Sequence, residues 1–380
     1  YHTYTPTLYE AATTSKDVAD DIKIQQITAF PIENILKRTS IEFIQNKVIN
    51  LDIGIRGGTI DLDNGFNIHY EYLILALGSE ANFFNIPGLQ EYAIKLKEFD
   101  DAIRIRDLIW NKATSKPPED KDKKVKVVIG GAGSSGVEVA GEIKNWLKQL
   151  EKEHEIEGFV TIVEAGETIL PGFAPQIINL ATRRLKKLAI EISTSSTIEK
   201  INQNTVYLKN AGEIPFDVLI WTGGVKANTL ASTIPIKTVK TRAEVTSKMV
   251  CLPQSADLKF YGKVYAIGDL VCAYNKDGKP SPMVARAAII QAKIASRNII
   301  CDIMNKRHRE YSFKNYPYVI PIGGKYAIAK LGPIIISGFF GWILKGLVEL
   351  NYLLSIMPTW RALSVWLKGL KIFIQNDRLG

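Results

Sequence analysis

The sequence predicts an α/β protein with parallel β-sheets, more than one domain and amphipathic helices at its C-terminal end. Short apolar runs rich in β-branched residues alternate with segments of helical periodicity, which is the pattern of strands joined by helical crossovers. One of these strands runs into a glycine-rich turn, and the chain becomes apolar and basic after residue 330. A length of 380 residues with 46% hydrophobic side chains is enough for two or three folded domains.

Charge and cysteine content narrow the class of protein. The formal net charge is +9, and residues 317–380 contribute seven Lys or Arg against two Asp or Glu. No motif that interleaves basic and aromatic residues for reading bases is present, so the favoured partner is an anionic membrane surface and not nucleic acid. Cys251, Cys272 and Cys301 are too far apart for a zinc site or a redox pair. They predict reduced thiols in a cytosolic protein and no bound metal.

The chain before the glycine-rich turn carries local signals for strands and helices. It starts at Tyr1 without Met, in what looks like the middle of a domain, so we expect a further N-terminal segment. Asp63-Asn64-Gly65 is a hairpin signal within a stretch of β-formers. The periodicity also predicts a buried strand at 71–78 and a helix at 97–110.

The glycine-rich turn is the strongest chemical signal in the chain. Residues 125–129 form a buried parallel strand, the turn has the G-x-G-x-x-G pattern at Gly131, Gly133 and Gly136, and a helix follows. The first glycine permits the tight turn, the second lets the backbone approach a pyrophosphate, and the third lets the helix lie close to the strand. The phosphates of a dinucleotide would rest on the N–H groups at the start of that helix. The alternative is a glycine-rich turn that binds nothing.

The acidic residue at the end of the next strand indicates which dinucleotide binds. Residues 159–163 form that strand, and Glu164 ends it. A carboxylate there accepts hydrogen bonds from the ribose hydroxyls of adenosine and repels a 2′-phosphate, so NADH is favoured over NADPH. Further elements are predicted to alternate downstream, namely a helix at 174–188, buried strands at 217–224 and 264–269, and a helix at 284–300.

The C-terminal segment has the pattern of helices that lie in a membrane interface. Residues 331–357 are mostly apolar, and Lys345 and Glu349 are four apart, where they can pair along a helix. Residues 360–373 have a narrow basic face opposite a wide Trp and Leu face, and the basic side chains of both helices are expected to be lipid-facing anchors. The alternatives are an oligomer interface, a cover over the core, or a transmembrane helix at 334–356. Lys345 disfavours the last, because a lysine at the bilayer centre costs roughly 2.5–3.5 kcal/mol.

Together the motifs resemble those of the type II NADH dehydrogenases, which are non-proton-pumping NADH:quinone oxidoreductases. The resemblance covers nearly the whole chain, and its motifs are LALGSE at 75–80, IPGL at 86–89, IGGAGSSGVEVAGEI at 129–143, WTGGV at 221–225 and YAIGD at 265–269. It implies an α/β fold with two Rossmann-like dinucleotide-binding domains, one for FAD and one for NADH, and a C-terminal membrane-associating helical segment. The implied domains are FAD-binding at 1–110 and 241–330, NADH-binding at 111–240 and membrane-anchoring at 331–380.

The resemblance also implies roles for individual residues. Positions that match FAD-binding residues are Thr5, Ala76, Gly78, Gly268 and Asp269. Positions that match NADH-binding residues are Gly131, Gly133, Gly136, Glu164, Gly223 and Gly224. Glu138 matches a catalytic glutamate near the nicotinamide and flavin rings, and its alternative role is a carboxylate stabilised by the helix N-terminus. Positions beside the quinone are Gln291 and Arg286.

Two features depart from the family pattern. The first G-x-G-x-x-G, which should hold the ADP half of FAD, and the acidic residue after it are absent from the sequence. This absence is what the loss of an N-terminal segment would produce, since the downstream FAD motifs are present. Position 286 is Arg where the pattern has a glutamine near the quinone.

The resemblance implies that hydride passes from NADH to FAD and that electrons then pass to a membrane quinone. The implied location is peripheral, on the cytoplasmic face of the cell membrane, with the quinone and the membrane surface as partners and a homodimer left open. Two other functions are retained as alternatives. One is another FAD-dependent pyridine nucleotide reductase, of the ferredoxin type or of the disulfide type that unpaired cysteines disfavour. The other is a flavin-free, membrane-tethered NADH sensor.

Overall fold

The chain folds into two compact units built from interleaved stretches. The computed structural model describes residues 1–3, 5–54, 57–115, 123–209, 212–255, 263–275, 278–313 and 316–376. Unit 1 contains Tyr1–Phe43, Phe83–Gly224 and Pro317–Gly380, and unit 2 contains Ile44–Asn82 and Val225–Tyr316.

Helices and strands alternate along most of the chain. The helices of the described part are α1 (Thr5–Ala11), α2 (Asp21–Thr28), α3 (Ile32–Leu36), α4 (Leu89–Tyr92), α5 (Phe99–Thr114), α6 (Ser134–His154), α7 (Pro175–Lys187), α8 (Ala285–Ile303), α9 (Phe339–Ile356) and α10 (Thr359–Asn376). The strands are β1 (His2–Thr3), β2 (Ala29–Phe30), β3 (Val48–Gly54), β4 (Gly57–Leu62), β5 (Asn67–Tyr70), β6 (Leu73–Leu75), β7 (Ser79–Ala81), β8 (Ala93–Lys95), β9 (Lys124–Gly130), β10 (Glu157–Val163), β11 (Glu191–Ser193), β12 (Ile198–Ile201), β13 (Thr205–Leu208), β14 (Gly212–Pro215), β15 (Val218–Trp221), β16 (Val225–Ala227), β17 (Thr238–Val239), β18 (Arg242–Glu244), β19 (Val264–Ala266), β20 (Val271–Cys272), β21 (Tyr318–Pro321), β22 (Ala327–Leu331) and β23 (Ile334–Gly338).

A parallel sheet forms the centre of unit 1, as the alternation of elements predicts. Its strand order is β11-β10-β9-β15-β8, and every neighbouring pair runs in parallel. The chain moves outward from β9 to β10 and β11 and then returns to β15 on the other side of β9. The direction of winding therefore reverses between β9 and β15, and the carboxyl ends of these strands flank the crevice in which doubly wound α/β folds bind nucleotides.

The core of unit 1 lies between this sheet and α6. Ile143, Trp146, Leu147 and Leu150 recur at steps of three and four, and none is more than 1% exposed. Burying each of these side chains is worth about 1.5–3 kcal/mol. The same packing fixes the start of α6 beside the end of β9, where the glycine-rich turn lies.

The boundaries of the compact units differ from the domain boundaries that the sequence analysis expects. β8 pairs in parallel with β15, and α5 packs on β8, β9 and β15, so residues 83–110 complete the sheet that carries the glycine-rich turn. The two units divide near residues 43, 82, 224 and 316, whereas the expected domain boundaries are at residues 110, 240 and 330. Which cofactor each part binds stays a prediction.

The C-terminal part of unit 1 is a small antiparallel sheet followed by two helices. The sheet has the order β21-β22-β23. Residues 334–356 do not form one helix, because β23 takes the first five of them and α9 begins at Phe339. Gly341 allows α9 to lie against β22, since a Cβ there would be 2.2 Å from the carbonyl oxygen of Ala327. Within the described residues, α9 is long and apolar enough to cross a membrane by length and composition alone.

Unit 2 consists of small sheets around a core of its own. β3, β4 and β5 form an antiparallel sheet, and the Asp63-Asn64-Gly65 turn joins β4 to β5 as its sequence predicts. β6 pairs in parallel with β19, with Leu73 opposite Val264. α8 packs on the short turn at Gly268–Leu270 that follows β19. The carboxyl ends of β6 and β19 therefore lie side by side.

Candidate active site

The three glycines in the turn between β9 and α6 have different steric surroundings. Gly131 has a φ of +101°, and a Cβ on it would lie 2.3 Å from the Cα of Gly223. A Cβ on Gly136 would lie 2.0 Å from the carbonyl oxygen of Gly131. A Cβ on Gly133 would meet nothing within 4 Å, so the space beside Gly133 is open to a ligand. The G-x-G-x-x-G pattern predicts these three roles.

The N-terminus of α6 directs backbone N–H groups towards this turn. Gly133 is the N-cap residue, and its carbonyl oxygen accepts a hydrogen bond from the N–H of Val137 at 3.1 Å. The N–H groups of Ser134, Ser135 and Gly136 have no acceptor within the helix, as in the first turn of any α-helix. Such an end favours an anionic group, so the residues present fit the diphosphate of a dinucleotide.

Glu164 braces the glycine-rich turn as well as ending β10. One of its carboxylate oxygens accepts a hydrogen bond from the N–H of Ala132 at 2.7 Å, and the other accepts one from the N–H of Gly166 at 2.8 Å. Each oxygen keeps a second lone pair, so the carboxylate can still accept a hydrogen bond from a ribose hydroxyl. The sequence pattern does not indicate this bracing role, because an acidic residue at the end of the strand points only to the ribose.

A second brace comes from the end of β15. The hydroxyl of Thr222 is shared between the carbonyl oxygens of Gly130 and Gly131, at 3.1 and 3.0 Å. This contact holds the segment before Gly223 against the glycine-rich turn. The residue that makes this contact is the threonine of the WTGGV motif, in which a role was predicted only for the two glycines.

Glu138 lies one turn further along α6 and is only 8% exposed. Burial raises its pKa well above the ordinary value for a glutamate; Lys345 opposes this effect, and Glu142 adds to it. The environment therefore favours the protonated acid over an ionised carboxylate at a helix N-terminus. A buried carboxylic acid beside a dinucleotide site is a candidate proton donor.

Glu10, Lys345 and Glu349 form a buried group of charges, here called the carboxylate–lysine cluster. Lys345 of α9 donates a hydrogen bond to the carboxylate of Glu10 on α1. Burial alone would lower the pKa of Lys345, but Glu10 and Glu349 outweigh it and raise that pKa, so the ammonium group stays charged. Burial raises the pKa of Glu349 to about 7, against the opposing effect of Lys345.

The cluster corrects an expectation from the sequence. Lys345 is not a lipid-facing anchor, because its side chain is buried and bound to Glu10. The four-residue spacing of Lys345 and Glu349 was a signal for a charge pair along α9. No local pattern connected either residue to Glu10, which lies 335 positions away from Lys345.

An apolar cavity of about 250 Å³ lies between α9 and α10. All members of the carboxylate–lysine cluster line it. Its apolar walls come from Trp342, Ile343, Leu347, Trp366, Leu370 and Phe373. Such a space suits an apolar molecule that has a few hydrogen-bonding atoms. It was not predicted, because its walls come from separate helices that meet only in the fold.

In unit 2, the ends of β6 and β19 bring four predicted FAD-binding residues together. Ala76 and Gly78 follow β6, and Gly268 and Asp269 follow β19. Gly78 and Gly268 have positive φ angles of +67° and +76°, which only glycine adopts without strain. The hydroxyl of Ser79 donates a hydrogen bond to the carboxylate of Asp269 at 2.9 Å.

Gln291 belongs to the same set of residues. Its side-chain oxygen accepts a hydrogen bond from the N–H of Gly268 at 2.7 Å, so the structure places it on the Gly268–Asp269 turn. The residue is fully buried, and its Nε2 has no hydrogen-bond partner among the described residues. An orphaned buried donor beside a turn of this type fits a site for a polar group of a cofactor. Its predicted place beside the quinone stays a prediction.

The remaining predicted residues are less informative. Arg286 is exposed on the first turn of α8. Thr5 begins α1, but its side chain lies outside the described part of the chain. Cys251, Cys272 and Cys301 are all free and buried. Among the residues that the structure describes, no group of three or more His, Cys, Asp or Glu is placed to hold a metal ion.

Comparisons with known proteins point to one family. The model of the pyridine nucleotide-disulphide oxidoreductases matches residues 1–292. A type II NADH:quinone oxidoreductase of Staphylococcus haemolyticus is 27% identical over 79% of this chain and 72% of its own length. The type II NADH:quinone oxidoreductase Ndh of Mycobacterium tuberculosis is 24% identical over 96% of this chain and 80% of its own length.

Solved structures share the fold over most of this chain. NDH2 from Plasmodium falciparum, in complex with NADH, has a TM-score of 0.81 at 18% identity and is matched over 100% of this chain and 92% of its own. The sulfide:quinone oxidoreductase of Aquifex aeolicus has a TM-score of 0.73 at 16% identity, over 96% of this chain and 83% of its own. These comparisons confirm the predicted α/β fold and the resemblance to type II NADH:quinone oxidoreductases. The chain belongs to the pyridine nucleotide-disulphide oxidoreductase family.

Proposed function

We propose that this protein is a type II NADH:quinone oxidoreductase, which passes hydride from NADH to bound FAD and electrons from FAD to a membrane quinone without pumping protons. The observation that carries the proposal is the apolar cavity with buried charges in the unit that also holds the dinucleotide turn. Many reductases share such a turn. An apolar cavity with hydrogen-bonding groups in its wall is specifically suited to a lipid-soluble acceptor.

The chain's own groups bind NADH at the N-terminus of α6. The N–H groups of Ser134, Ser135 and Gly136 hold the diphosphate. The open space beside Gly133 admits it, and Gly223 and Gly224 flank the same cofactor. Glu164 accepts a hydrogen bond from the adenosine ribose and repels a 2′-phosphate, which makes NADH the preferred donor over NADPH.

The residues at the ends of β6 and β19 hold FAD. When bound, FAD supplies a ring that accepts hydride from NADH and passes electrons to the quinone. Ala76 and Gly78 leave room for it, and the carboxylate of Asp269 accepts hydrogen bonds from its hydroxyl groups. Gln291 fixes the Gly268 backbone with its oxygen and has its Nε2 left to donate.

Glu138 holds a proton for the acceptor side of the reaction. Reduction of a quinone to a quinol consumes two protons as well as two electrons. Burial raises the pKa of Glu138 and so favours its protonated form, and the ammonium group of Lys345 is the opposite charge that acts against this effect. Glu138 can therefore transfer its proton to a basic oxygen of the quinone as the quinone is reduced, and the resulting carboxylate can take up a proton from solvent afterwards.

The quinone occupies the cavity between α9 and α10. Its apolar tail packs against side chains such as Trp366 and Leu370, and its oxygens reach the carboxylate–lysine cluster. Glu349 has a pKa of about 7, so it can donate a hydrogen bond when protonated and accept one when ionised. This dual capacity suits a ligand that alternates between carbonyl and hydroxyl forms.

The C-terminal helices attach the protein to the membrane surface, on the cytoplasmic face of the cell membrane. Phe340 of α9 and Trp360 of α10 are 70% and 71% exposed, and Lys368 and Lys371 of α10 are also exposed. Apolar side chains of this size favour the acyl boundary, and each lysine near an anionic surface adds about 1 kcal/mol. A homodimer that covers the same apolar face is the competing use of these side chains.

The test of the function is an assay of the purified full-length protein. We expect a yellow protein with flavin absorbance that oxidises NADH faster than NADPH and reduces a soluble quinone analogue. A protein without flavin that binds NADH would support the sensor, and activity towards a disulfide would support the disulfide type of reductase. The buried, unpaired cysteines already weigh against the latter, since that chemistry needs an accessible dithiol.

A further inference from the structure

We infer that Tyr9 is a positioning residue for NADH: its phenol fixes the hydroxyl of Ser135 so that the Ser135 proton is directed to the dinucleotide. This inference rests on the proposed function, because it assumes that NADH binds at the N-terminus of α6. It adds a side-chain contact to the backbone contacts of the glycine-rich turn and assigns a role to α1.

The geometry joins α1 to the first turn of α6. The phenol of Tyr9 donates a hydrogen bond to the Oγ of Ser135 at 2.9 Å. Tyr9 is 4% exposed, whereas Ser135 is only half-buried. Ser135 is the second residue of α6 and stands between Gly133 and Gly136, in the segment where the diphosphate binds.

The hydrogen bond settles how the two hydroxyl protons are used. The phenol of Tyr9 is the donor in this hydrogen bond, and burial and the nearby Glu138 raise the pKa of Tyr9, so the phenol keeps the proton that it donates. Ser135 then accepts with one lone pair, and its own proton is free for another acceptor. Within the described chain, the Ser135 hydroxyl donates no hydrogen bond of its own. A phosphate oxygen at the helix N-terminus would supply one.

Tyr9 is held firmly enough to orient Ser135. The next residue, Glu10, is bound to Lys345, and the hydroxyl of Thr14 donates to the carbonyl oxygen of Glu10 at 2.7 Å. The indole N–H of Trp146 donates to Ser15 at 2.8 Å, which ties the segment after α1 to α6 itself. Tyr9 therefore approaches Ser135 from a segment that is fixed on two sides.

The expected effect is a loss of NADH affinity without loss of turnover. Tyr9→Phe removes one hydrogen bond and lets the Ser135 hydroxyl rotate, so the KM for NADH and the dissociation constant of NAD+, which carries the same diphosphate, should rise about three- to tenfold. Ser135→Ala removes the donor itself and should raise both constants about tenfold or more. In each variant the kcat with saturating NADH should stay within about twofold of wild type, since neither hydroxyl contacts the reacting atoms.

The experiment measures NADH kinetics with a soluble quinone, and NAD+ binding by calorimetry, on the full-length holoenzyme. Ser135→Thr keeps the hydroxyl and should retain most of the affinity that Ser135→Ala loses. Adding Tyr9→Phe to Ser135→Ala should cause no further loss, because Tyr9 acts through Ser135. Tyr207→Phe is the matched control, because it removes a tyrosine hydroxyl that takes part in a hydrogen bond elsewhere, with Asn202 in the β12–β13 hairpin. This variant should leave the KM for NADH and the dissociation constant of NAD+ unchanged.

The outcomes separate this inference from the proposed function. A wild-type protein that neither oxidises NADH nor binds NAD+ would overturn the proposed function. With a competent wild type, unchanged constants in Tyr9→Phe, or losses that add in the double variant, would overturn the role of Tyr9 alone. If Tyr9→Phe does not fold, the Ser135 pair decides: equal affinity of Ser135→Ala and Ser135→Thr for NAD+ would refute a hydroxyl contact.

Discussion

Glu138 has an environment that its sequence position does not suggest. A glutamate near a helix N-terminus is ordinarily ionised and stabilised by the helix dipole. Here burial raises the pKa of Glu138 far enough to favour the neutral acid. At the scale of the residue, the proton-donor role proposed for Glu138 depends on that reversal, because a neutral acid can donate a proton and a carboxylate cannot.

The reversal predicts how stability depends on pH in Glu138→Gln. The folded-state pKa lies above the unfolded value, so the stability that protonated Glu138 provides is complete at low pH and is lost as the pH rises through the folded-state pKa. Glutamine has no such dependence. The melting temperature of Glu138→Gln relative to wild type should therefore increase between about pH 5 and about pH 8.

The same variant tests the proton-donor role. Turnover with a quinone should fall, and the KM for NADH should change little, because glutamine keeps the shape but loses the acid. If the difference in melting temperature between Glu138→Gln and wild type did not change with pH, Glu138 would not be held neutral in the folded protein. If Glu138→Gln kept the turnover of wild type, Glu138 would have no part in the catalytic mechanism.

Lys345→Met should destabilise the folded protein strongly. The substitution keeps the apolar stem of the side chain but leaves Glu10 and Glu349 buried without their cation, a loss that typically costs about 3–5 kcal/mol. Urea denaturation would measure the change in the free energy of unfolding. Lys371→Met, at an exposed position of α10, is the control and should change it by less than about 0.5 kcal/mol.

A second substitution distinguishes charge pairing from loss of packing. Adding Glu10→Gln to Lys345→Met removes one of the uncompensated carboxylates and should restore part of the lost stability. If the two substitutions instead lower the free energy of unfolding additively, then Glu10 and Lys345 do not interact, which would contradict charge pairing in the carboxylate–lysine cluster.

At the scale of the element, the glycine-rich turn separates residues that shape the backbone from residues that leave room for a ligand. A Cβ on Gly136 would collide with the carbonyl oxygen of Gly131 at 2.0 Å, whereas a Cβ on Gly133 would meet nothing within 4 Å. The two glycines look alike in the sequence pattern. Their surroundings distinguish them, because the space beside Gly136 is filled by the chain itself and the space beside Gly133 is open.

Alanine should therefore affect stability at Gly136 and NADH binding at Gly133. Gly136→Ala should lower the melting temperature, since forcing a methyl group into a packed turn costs about 1–3 kcal/mol. Gly133→Ala should leave the melting temperature close to that of wild type and should weaken NADH binding by occupying the space for the diphosphate. Thermal melts and NAD+ calorimetry on both variants check this, and a stable Gly136→Ala that binds normally would contradict it.

The sequence predicts elements well where the cause is local. Periodicity and turn residues located β9, α7 and α8 to within a few residues, and the glycine spacing identified the turn at which α6 begins but not where α6 ends. The start of α9 was less predictable, because the apolar run continues without a break from β23 into the helix. The reversal at Gly338, with a φ of +82°, separates them in the structure.

The parts of the candidate site that could not be predicted depend on long-range contacts. The bond between Tyr9 and Ser135 joins residues 126 positions apart, and the bond between Glu10 and Lys345 joins residues 335 apart. A hydrophobic or charge pattern repeats over a few residues and has no information on such pairs. Glu164 was identified, but its hydrogen bond to Ala132 was not, for the same reason.

At the scale of the whole molecule, the exposed apolar side chains of α9 and α10 predict how the protein partitions. Replacing Phe340 and Trp360 together by serine should weaken binding to vesicles that contain anionic lipid, because these two are the most exposed large apolar side chains of α9 and α10. Flotation of the purified protein with such vesicles would measure it. Activity with a soluble quinone should persist, and full retention on the vesicles would argue that these helices face a second copy of the chain.

The distance along the chain between Glu10 and Lys345 has a consequence for biosynthesis. During translation Glu10 is synthesised 335 residues before Lys345, the residue that pairs with it. Asn376, which donates a hydrogen bond to the carbonyl oxygen of Thr13, lies even further along the chain from its partner. Contacts between such distant residues form slowly, so in the nascent chain the segment at residues 10–13 lacks these partners until α9 and α10 have been synthesised. The apolar helices α9 and α10 are thus synthesised after the segment at residues 10–13 on which they dock, so that segment is already present when they emerge.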